Sequence, residues 1–102
     1  MDQSQNLNME IEIDKEYYPT GEIMREFSFV KHKNGLKAIH GTQKYYYTNG
    51  LKCEEFSVEN NSREGIRQVW EFNGTRNFVQ NWKNNQRIGP EIDFKYKKTW
   101  KE

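Results

Sequence analysis

The residues of this chain that could do chemistry are few and poorly spaced for it. His32 and His40 lie eight positions apart, and neither stands beside cysteines or carboxylates at a metal-ligand spacing. A zinc site takes four protein ligands, or three and a water molecule. The two histidines are therefore predicted to be solvated loop residues, and no metal site is expected.

The sequence also offers no catalytic pair. Glu54 and Glu55 are adjacent, and adjacent residues of a strand point to opposite faces, so they cannot work together as acid and base. Cys53 is the single cysteine, with no histidine predicted opposite it to activate the thiol. The glycines stand nine and fifteen residues apart, unlike those of a phosphate-binding loop. We expect no catalytic residue, no cofactor and no enzyme activity.

Composition predicts one small domain with a narrow core. The 102 residues are 33% hydrophobic, 30% charged and 15% aromatic, so the apolar area is concentrated in a few large side chains. A net charge of +1 argues against nucleic acid as the partner. The single cysteine fits a reducing compartment, and the sequence shows neither a signal peptide nor a membrane span. We expect a cytoplasmic protein with no integral membrane association.

Glycines and aromatic residues recur with a period of 24 residues. Pairs of glycines nine residues apart follow one another at this period: Gly41 with Gly50, Gly65 with Gly74, and Gly89, which opens a third pair. One aromatic position keeps the same period and is occupied by Tyr46, Trp70 and Phe94. A period between 20 and 50 residues indicates an array of supersecondary units. Function in such arrays lies on a repeated surface.

The period also predicts the organisation of the chain. The units are 12–40, 41–64, 65–88 and a half unit 89–97. The first unit holds five extra residues within 31–40, and insertions in repeat proteins lie in loops on one side. Residues 1–11 are expected to be a polar extension, and residues 98–102 a tail without a repeat partner.

Each half unit is predicted to be a β-strand. Ile66, Gln68 and Trp70 alternate with polar residues, and the segments PTG, TNG and FNG separate such runs. Asn-Gly favours a hairpin because both residues accept positive φ. The predicted strands are 12–19, 22–30, 42–48, 51–59, 66–72, 75–83 and 91–97. We expect an all-β fold without helices: one elongated antiparallel meander of about seven strands.

The recurrent aromatic position is predicted to form the core. Trp70 should be mostly buried, in line with Tyr46 and Phe94, although a ligand-binding aromatic ladder stays open as an alternative. A partner would then meet the opposite face, where the sequence mixes tyrosines, an arginine and carboxylates. The predicted partner-binding residues are Tyr45, Tyr47, Glu55, Arg67, Val69 and Glu71.

The segments YYPTG, KYYYTNG and WEFNG are each followed by a strand and a polar loop that ends in glycine. In this they resemble the MORN-repeat variant family, over about residues 12–97 and most closely in Lys44–Glu55. The third unit departs from that pattern, because TRNFVQNW replaces the glutamate-rich strand. The resemblance implies a stack of MORN-like hairpins. Chains built of this repeat also look like YwqK-type antitoxin and immunity proteins, which neutralise a partner toxin.

These observations lead to a functional expectation. We expect a non-enzymatic protein-binding module, and the resemblance favours an immunity protein that blocks a toxin encoded nearby by covering its active site. A general scaffolding or membrane-peripheral MORN-type module is the alternative, and a homodimer through an exposed sheet face stays open. A small hydrolase would need a cluster of His, Cys and carboxylate groups. Stacking on single-stranded nucleic acid is disfavoured by the net charge of +1.

Overall fold

The computed structural model describes residues 10–94 and 98–100, and every element within them is a β-strand. The strands are β1 (Ile11–Tyr17), β2 (Ile23–Lys31), β3 (Lys37–Ile39), β4 (Gly41–Tyr46), β5 (Lys52–Glu59), β6 (Ser62–Trp70), β7 (Arg76–Lys83), β8 (Gln86–Asp93) and β9 (Lys98–Trp100). They form one antiparallel sheet in chain order, with β3 paired to β2 beside β4. This confirms the predicted all-β meander. Each predicted strand overlaps an observed one, and residues 95–97 of the last prediction lie outside the described residues.

The Asn-Gly segments form hairpin turns, but not the type that the sequence suggested. The Tyr47 amide donates to the Leu51 carbonyl at 2.8 Å, and the Gly50 amide donates to the Tyr47 carbonyl at 3.0 Å. Gly50 has a φ of 88°, whereas Asn49 is not among the residues with positive φ. The expectation of positive φ at both residues is therefore wrong here. The geometry is a type I turn followed by a bulge at glycine, and the Asn49 Oδ1 accepts from the Leu51 amide.

The opposite edge of the sheet turns at Asn-Asn pairs. Asn60 and Asn61 have φ values of 50° and 72°, and Asn84 and Asn85 repeat the pattern at 51° and 65°. Positive φ at both central residues defines the tight turn that suits the twist of a hairpin, and asparagine tolerates it better than most residues. The polar loops predicted before Gly65 and Gly89 are therefore mostly strand, because β6 begins at Ser62 and β8 at Gln86.

The five-residue insertion lengthens one hairpin on the Asn-Asn edge. Its turn repeats the Asn-Gly geometry, because the His32 amide donates to the Leu36 carbonyl at 2.8 Å. β3 then pairs with the end of β2, with Phe29 opposite Ile39. The insertion thus lies at one edge of the sheet, but it forms a turn and a paired strand where a loop was expected. The C-terminal segment differs from the unpaired tail that was predicted, because β9 pairs with β8 and continues the sheet.

The sheet is a single layer. It measures 48 × 40 × 16 Å, and its radius of gyration is 16.1 Å, compared with about 13 Å for a compact domain of this length. The buried apolar residues of the described chain are Phe29, Val30, Ala38 and Val58, and Ser28, Gln43 and Gln80 are buried with them. With so small a core, both faces of the sheet remain open to solvent over much of their area.

Candidate functional site

Directly opposed residues of paired strands share a face of the sheet, so the register defines two surfaces. One row runs Gln43, Phe56, Arg67 and Gln80 across β4 to β7. We call its side the arginine–aromatic face. A second row runs Ile66, Asn81 and Ile88 across β6 to β8. We call its side the isoleucine face.

Guanidinium groups lie over aromatic rings along the arginine–aromatic face. The Arg25 guanidinium carbon lies 4.0 Å from the centre of the Phe27 ring, and that of Arg67 lies 5.2 Å from the centre of Phe78. Arg63 on β6 lies between aromatic residues of the two flanking strands. Its guanidinium carbon is 4.3 Å from the Phe56 ring centre and 5.0 Å from that of Trp82. Contacts of this length are cation–π interactions.

Three arginines of this face also pair with carboxylates. The closest approaches are Arg25 to Glu16 at 2.8 Å, Arg67 to Glu54 at 2.6 Å and Arg87 to Glu91 at 3.2 Å. The hydrogen bond from Arg25 holds the pKa of the exposed Glu16 below its ordinary value. For Arg63, no described residue supplies a carboxylate in ion-pair contact.

A shallow groove of about 300 Å³ opens beside Arg63, at the edge formed by the Asn-Asn turns. Its lining consists of Phe27, Ile39, Gln43, Phe56, Val58, Asn61, Arg63 and Asn85. Stacked turns build its rim. The Asn61 Oδ1 accepts from the Ile39 amide at 2.9 Å, and the Asn85 Oδ1 accepts from the Arg63 amide at 2.8 Å. The second of these contacts fixes the backbone that carries the Arg63 side chain.

The isoleucine face carries the more exposed apolar side chains. Ile66, Ile88 and Ile92 are 49%, 46% and 42% exposed. The recurrent aromatic position lies on this face, and Trp70 is half-buried. Its direct neighbours are cations: the Lys52 nitrogen lies 5.2 Å from the Trp70 ring centre, and Arg76 is its opposite residue on β7. The predicted aromatic line is therefore interrupted by cations, because Lys52 and Arg76 stand between Tyr46, Trp70 and Phe94.

The prediction that one face forms the core is wrong, because buried residues lie on both faces. Ile66 is half exposed on the face assigned to the core, whereas Gln43, on the face assigned to a partner, is only 1% exposed. Tyr45 helps to cover that second face: its ring centre lies 6.4 Å from that of Phe27 and 6.3 Å from that of Phe56. Periodicity could not decide between the faces, because both carry apolar residues at alternate positions.

The structure divides the predicted partner-binding residues among three places. Tyr45, Arg67 and Val69 lie on the arginine–aromatic face. Glu55 lies on the isoleucine face, where it pairs with Lys52 at 2.6 Å. Tyr47 and Glu71 begin equivalent Asn-Gly turns. The six predicted residues therefore do not form one continuous patch. Binding by each of them stays a prediction.

Sequence reasoning missed the arginine that lines the groove and the tryptophan that contacts it. Arg63 and Trp82 received no role, although the asparagine pairs beside them recur at the period of 24 residues. That recurrence was the available signal, because asparagine pairs mark tight turns. It could not show which aromatic rings flank Arg63, since this depends on the pairing register of three strands.

The residues considered first for chemistry have structural contacts. The His40 Nδ1 accepts from the Asn60 amide at 3.0 Å, as the Glu64 Oε2 does from the Asn84 amide at 2.9 Å one unit later. Burial, and after it contact with the Cys53 thiol, raises the pKa of Tyr47. Across residues 10–94 and 98–100, no group of three or more His, Cys, Asp or Glu residues is placed to hold a metal ion.

Comparison with known proteins yields no match: no protein-family model, no curated protein and no solved structure is similar to this chain. Within its described part, the chain also contains no helix of the length and hydropathy needed to cross a membrane. Inference about function therefore rests on the two faces of the sheet and on the groove beside Arg63.

Proposed function

We propose that this protein is a non-enzymatic binding module whose arginine–aromatic face contacts a partner protein. The observation that carries this proposal is the Arg63 guanidinium, which lies between Phe56 and Trp82 at the side of an open groove. Arginine and large aromatic residues dominate the energetics of protein interfaces, especially where they form a preorganised cluster. The sheet is one layer 16 Å thick, so the described chain places no second layer over this face.

The proposed partner is a cytoplasmic toxin whose gene lies beside the gene of this protein. The proposed mechanism is steric. The sheet covers the active site of the toxin and performs no chemistry of its own. The MORN-like segments of residues 12–97 support this choice of partner. Nucleic acid is not the proposed partner, because three arginines of the face are already paired with carboxylates, and phosphate backbones bind through several unpaired cations.

Two tryptophans provide a matched test of the binding face. Trp82 lies on the arginine–aromatic face and Trp70 on the isoleucine face, and both are half-buried. We expect Trp82→Ala to weaken binding of the neighbouring gene product at least tenfold and to abolish rescue of cells that express it. Trp70→Ala should retain rescue below its melting temperature. Full rescue by folded Trp82→Ala, or loss of rescue with Trp70→Ala alone, would contradict the proposal.

The exposed isoleucines favour a second candidate, a scaffolding or membrane-peripheral module with a binding surface on each face. An exposed apolar patch marks an interaction site, and Ile66 and Ile88 flank Asn81 on β6 to β8. In that case Ile66→Asp with Ile88→Asp would abolish a second contact and leave the first intact. Leu36→Asp, at a 66% exposed turn residue, is the control. Sedimentation of the free protein tests for a homodimer. Co-sedimentation of the protein with lipid vesicles tests for binding to a membrane surface.

A further inference from the structure

Arg63 differs from the other arginines of its face in what surrounds its charge. Arg25, Arg67 and Arg87 each contact a carboxylate. Arg63 contacts two aromatic rings, and the described residues supply no carboxylate for it. A cation–π contact with an aromatic ring does not occupy the N–H donors of a guanidinium, which stay available for hydrogen bonds. The half-buried Arg63 is thus a preorganised donor without an anionic acceptor.

The groove beside Arg63 adds further donors. Asn61 and Asn85 line it, and each uses its Oδ1 atom to accept a backbone N–H from Ile39 or Arg63. The amide nitrogen of each side chain is a donor only. Aromatic and aliphatic side chains, including Phe27, Phe56 and Val58, form the rest of the lining. A negatively charged group with an apolar stem matches this combination of one cation, amide donors and apolar walls.

We propose that the groove binds a carboxylate of the partner protein, an aspartate or glutamate side chain or a C-terminus, through the Arg63 guanidinium. A guanidinium recognises a carboxylate through two parallel N–H···O hydrogen bonds, and a low-polarity surrounding strengthens them. The face offers one unpaired arginine among the described residues, which suits a single anchoring carboxylate. This inference rests on the proposed function, because it specifies the chemistry of the partner.

A partner-independent experiment tests the site first. The probe is N-acetyl-aspartate N-methylamide, and the neutral control is N-acetyl-asparagine N-methylamide. In ¹⁵N-resolved spectra of the full chain, we expect the aspartate probe to shift the Arg63 Nε–H and Trp82 Nε1–H signals saturably. The Arg67 signal, already paired with Glu54, should move far less. Equal shifts with both probes, or no saturation, would overturn the proposal, as would tighter binding of inorganic phosphate.

A second experiment uses the partner itself. Arg63→Gln should weaken its binding tenfold or more, because the partner carboxylate loses its cation. Arg76→Gln removes the same charge from the isoleucine face, where the guanidinium donates to the Gln68 Oε1 at 3.0 Å, and should change affinity less than twofold. Unchanged binding by folded Arg63→Gln would refute this inference and leave the proposed function standing. If the aspartate probe binds but the wild-type protein does not bind the neighbouring gene product, the proposed function is refuted and the site is left standing.

Discussion

The Gln43 side chain makes hydrogen bonds to the backbone of β2 that a neighbouring strand would otherwise make. Its Nε2 donates to the Ser28 carbonyl and its Oε1 accepts from the Ser28 amide, both at 2.9 Å. The side chain thus pairs with a β2 residue just where β3 ends and β4 begins. A buried glutamine is tolerable only when its amide is hydrogen-bonded in this way.

The contacts of Gln43 predict the cost of an apolar replacement. Gln43→Leu leaves the buried Ser28 amide without its acceptor, and we expect a loss of about 1–3 kcal/mol in the free energy of unfolding, the usual cost of an unsatisfied buried group. Urea denaturation measures the loss. Gln86→Leu, at an exposed position of β8, should change stability by less than about 0.5 kcal/mol. Equal effects of the two substitutions would contradict this role.

Tyr47 predicts a loss of stability at alkaline pH. Its hydroxyl donates to the Trp70 carbonyl at 2.7 Å, and burial raises its pKa above the ordinary value of 10.0. The folded state therefore favours the protonated form. The corresponding stability is fully present below about pH 10 and is lost as the pH rises through the higher folded pKa. Absorbance at alkaline pH and chemical denaturation at several pH values check this.

Tyr47→Phe provides the comparison for that pH dependence. The variant lacks both the ionisation and the hydrogen bond, so we expect about 1 kcal/mol lower stability at pH 7 and a smaller further loss above pH 10. Tyr46, whose pKa burial also raises, retains its contribution in this variant. An alkaline loss identical to that of the wild type would show that Tyr47 is not the group involved.

At the scale of elements, substitutions in the Asn-Asn turns distinguish the energetic cost of the backbone conformation from that of the side-chain hydrogen bond. Asn61 has a φ of 72°, and its Oδ1 accepts from the Ile39 amide. Asn61→Gly keeps the conformation and loses only the hydrogen bond, whereas Asn61→Ala loses both. We therefore expect Asn61→Ala to be less stable than Asn61→Gly by about 1 kcal/mol or more, from the cost of positive φ with a Cβ. Thermal melting of both variants tests this, and equal melting temperatures would refute it.

Sequence predicted the strands better than their turns and faces. Alternation located seven of the nine described strands, but not β3 in the insertion or β9 in the predicted tail. Asn-Gly located one set of turns, because these signals are local. Composition predicts polar loops where the Asn-Asn turns lie, because it does not reveal that the connection is only two residues long. Gln43 and Arg63 were missed because their roles arise from register between strands, which a single segment does not encode.

The whole molecule is periodic, and this predicts which deletion it tolerates. Removing residues 65–88 takes out one period of 24 residues and joins Glu64 to Gly89, the next opening glycine. The alternation of faces is preserved, so we expect a folded sheet shorter by two strands and less stable to urea. Removing residues 66–88 instead shifts the alternation by one and moves each later side chain to the other face.

Circular dichroism and urea denaturation of the two deletion proteins distinguish these outcomes. We expect a β-sheet spectrum and a cooperative transition for the deletion of 65–88, and aggregation or no cooperative transition for the deletion of 66–88. Two equally folded proteins would mean that register across the sheet does not depend on the repeat.

The repeat period and the single meander were the parts of the whole molecule that the sequence predicted, whereas the sheet is flat, at 48 × 40 × 16 Å, and not elongated along one axis. The predicted division into a core face and an open face does not exist, because a single layer has no inside toward which one set of side chains must point. Its most buried residues collect around the junction of β2, β3, β4 and β5 instead, as Phe29, Ala38, Gln43 and Val58 show.

The meander order has a consequence for how the chain reaches this structure. Every pairing joins strands that are consecutive in the sequence, except that β2 also reaches β4 past the short β3. Contact order is therefore low for an all-β protein, and the slow search for distant strands that limits β-sandwiches does not arise. A hairpin forms in about 1–10 μs, and each completed hairpin exposes an edge onto which the next strand can zip. Refolding should accordingly be faster than for a sandwich of equal length, and nucleation should be possible at more than one hairpin.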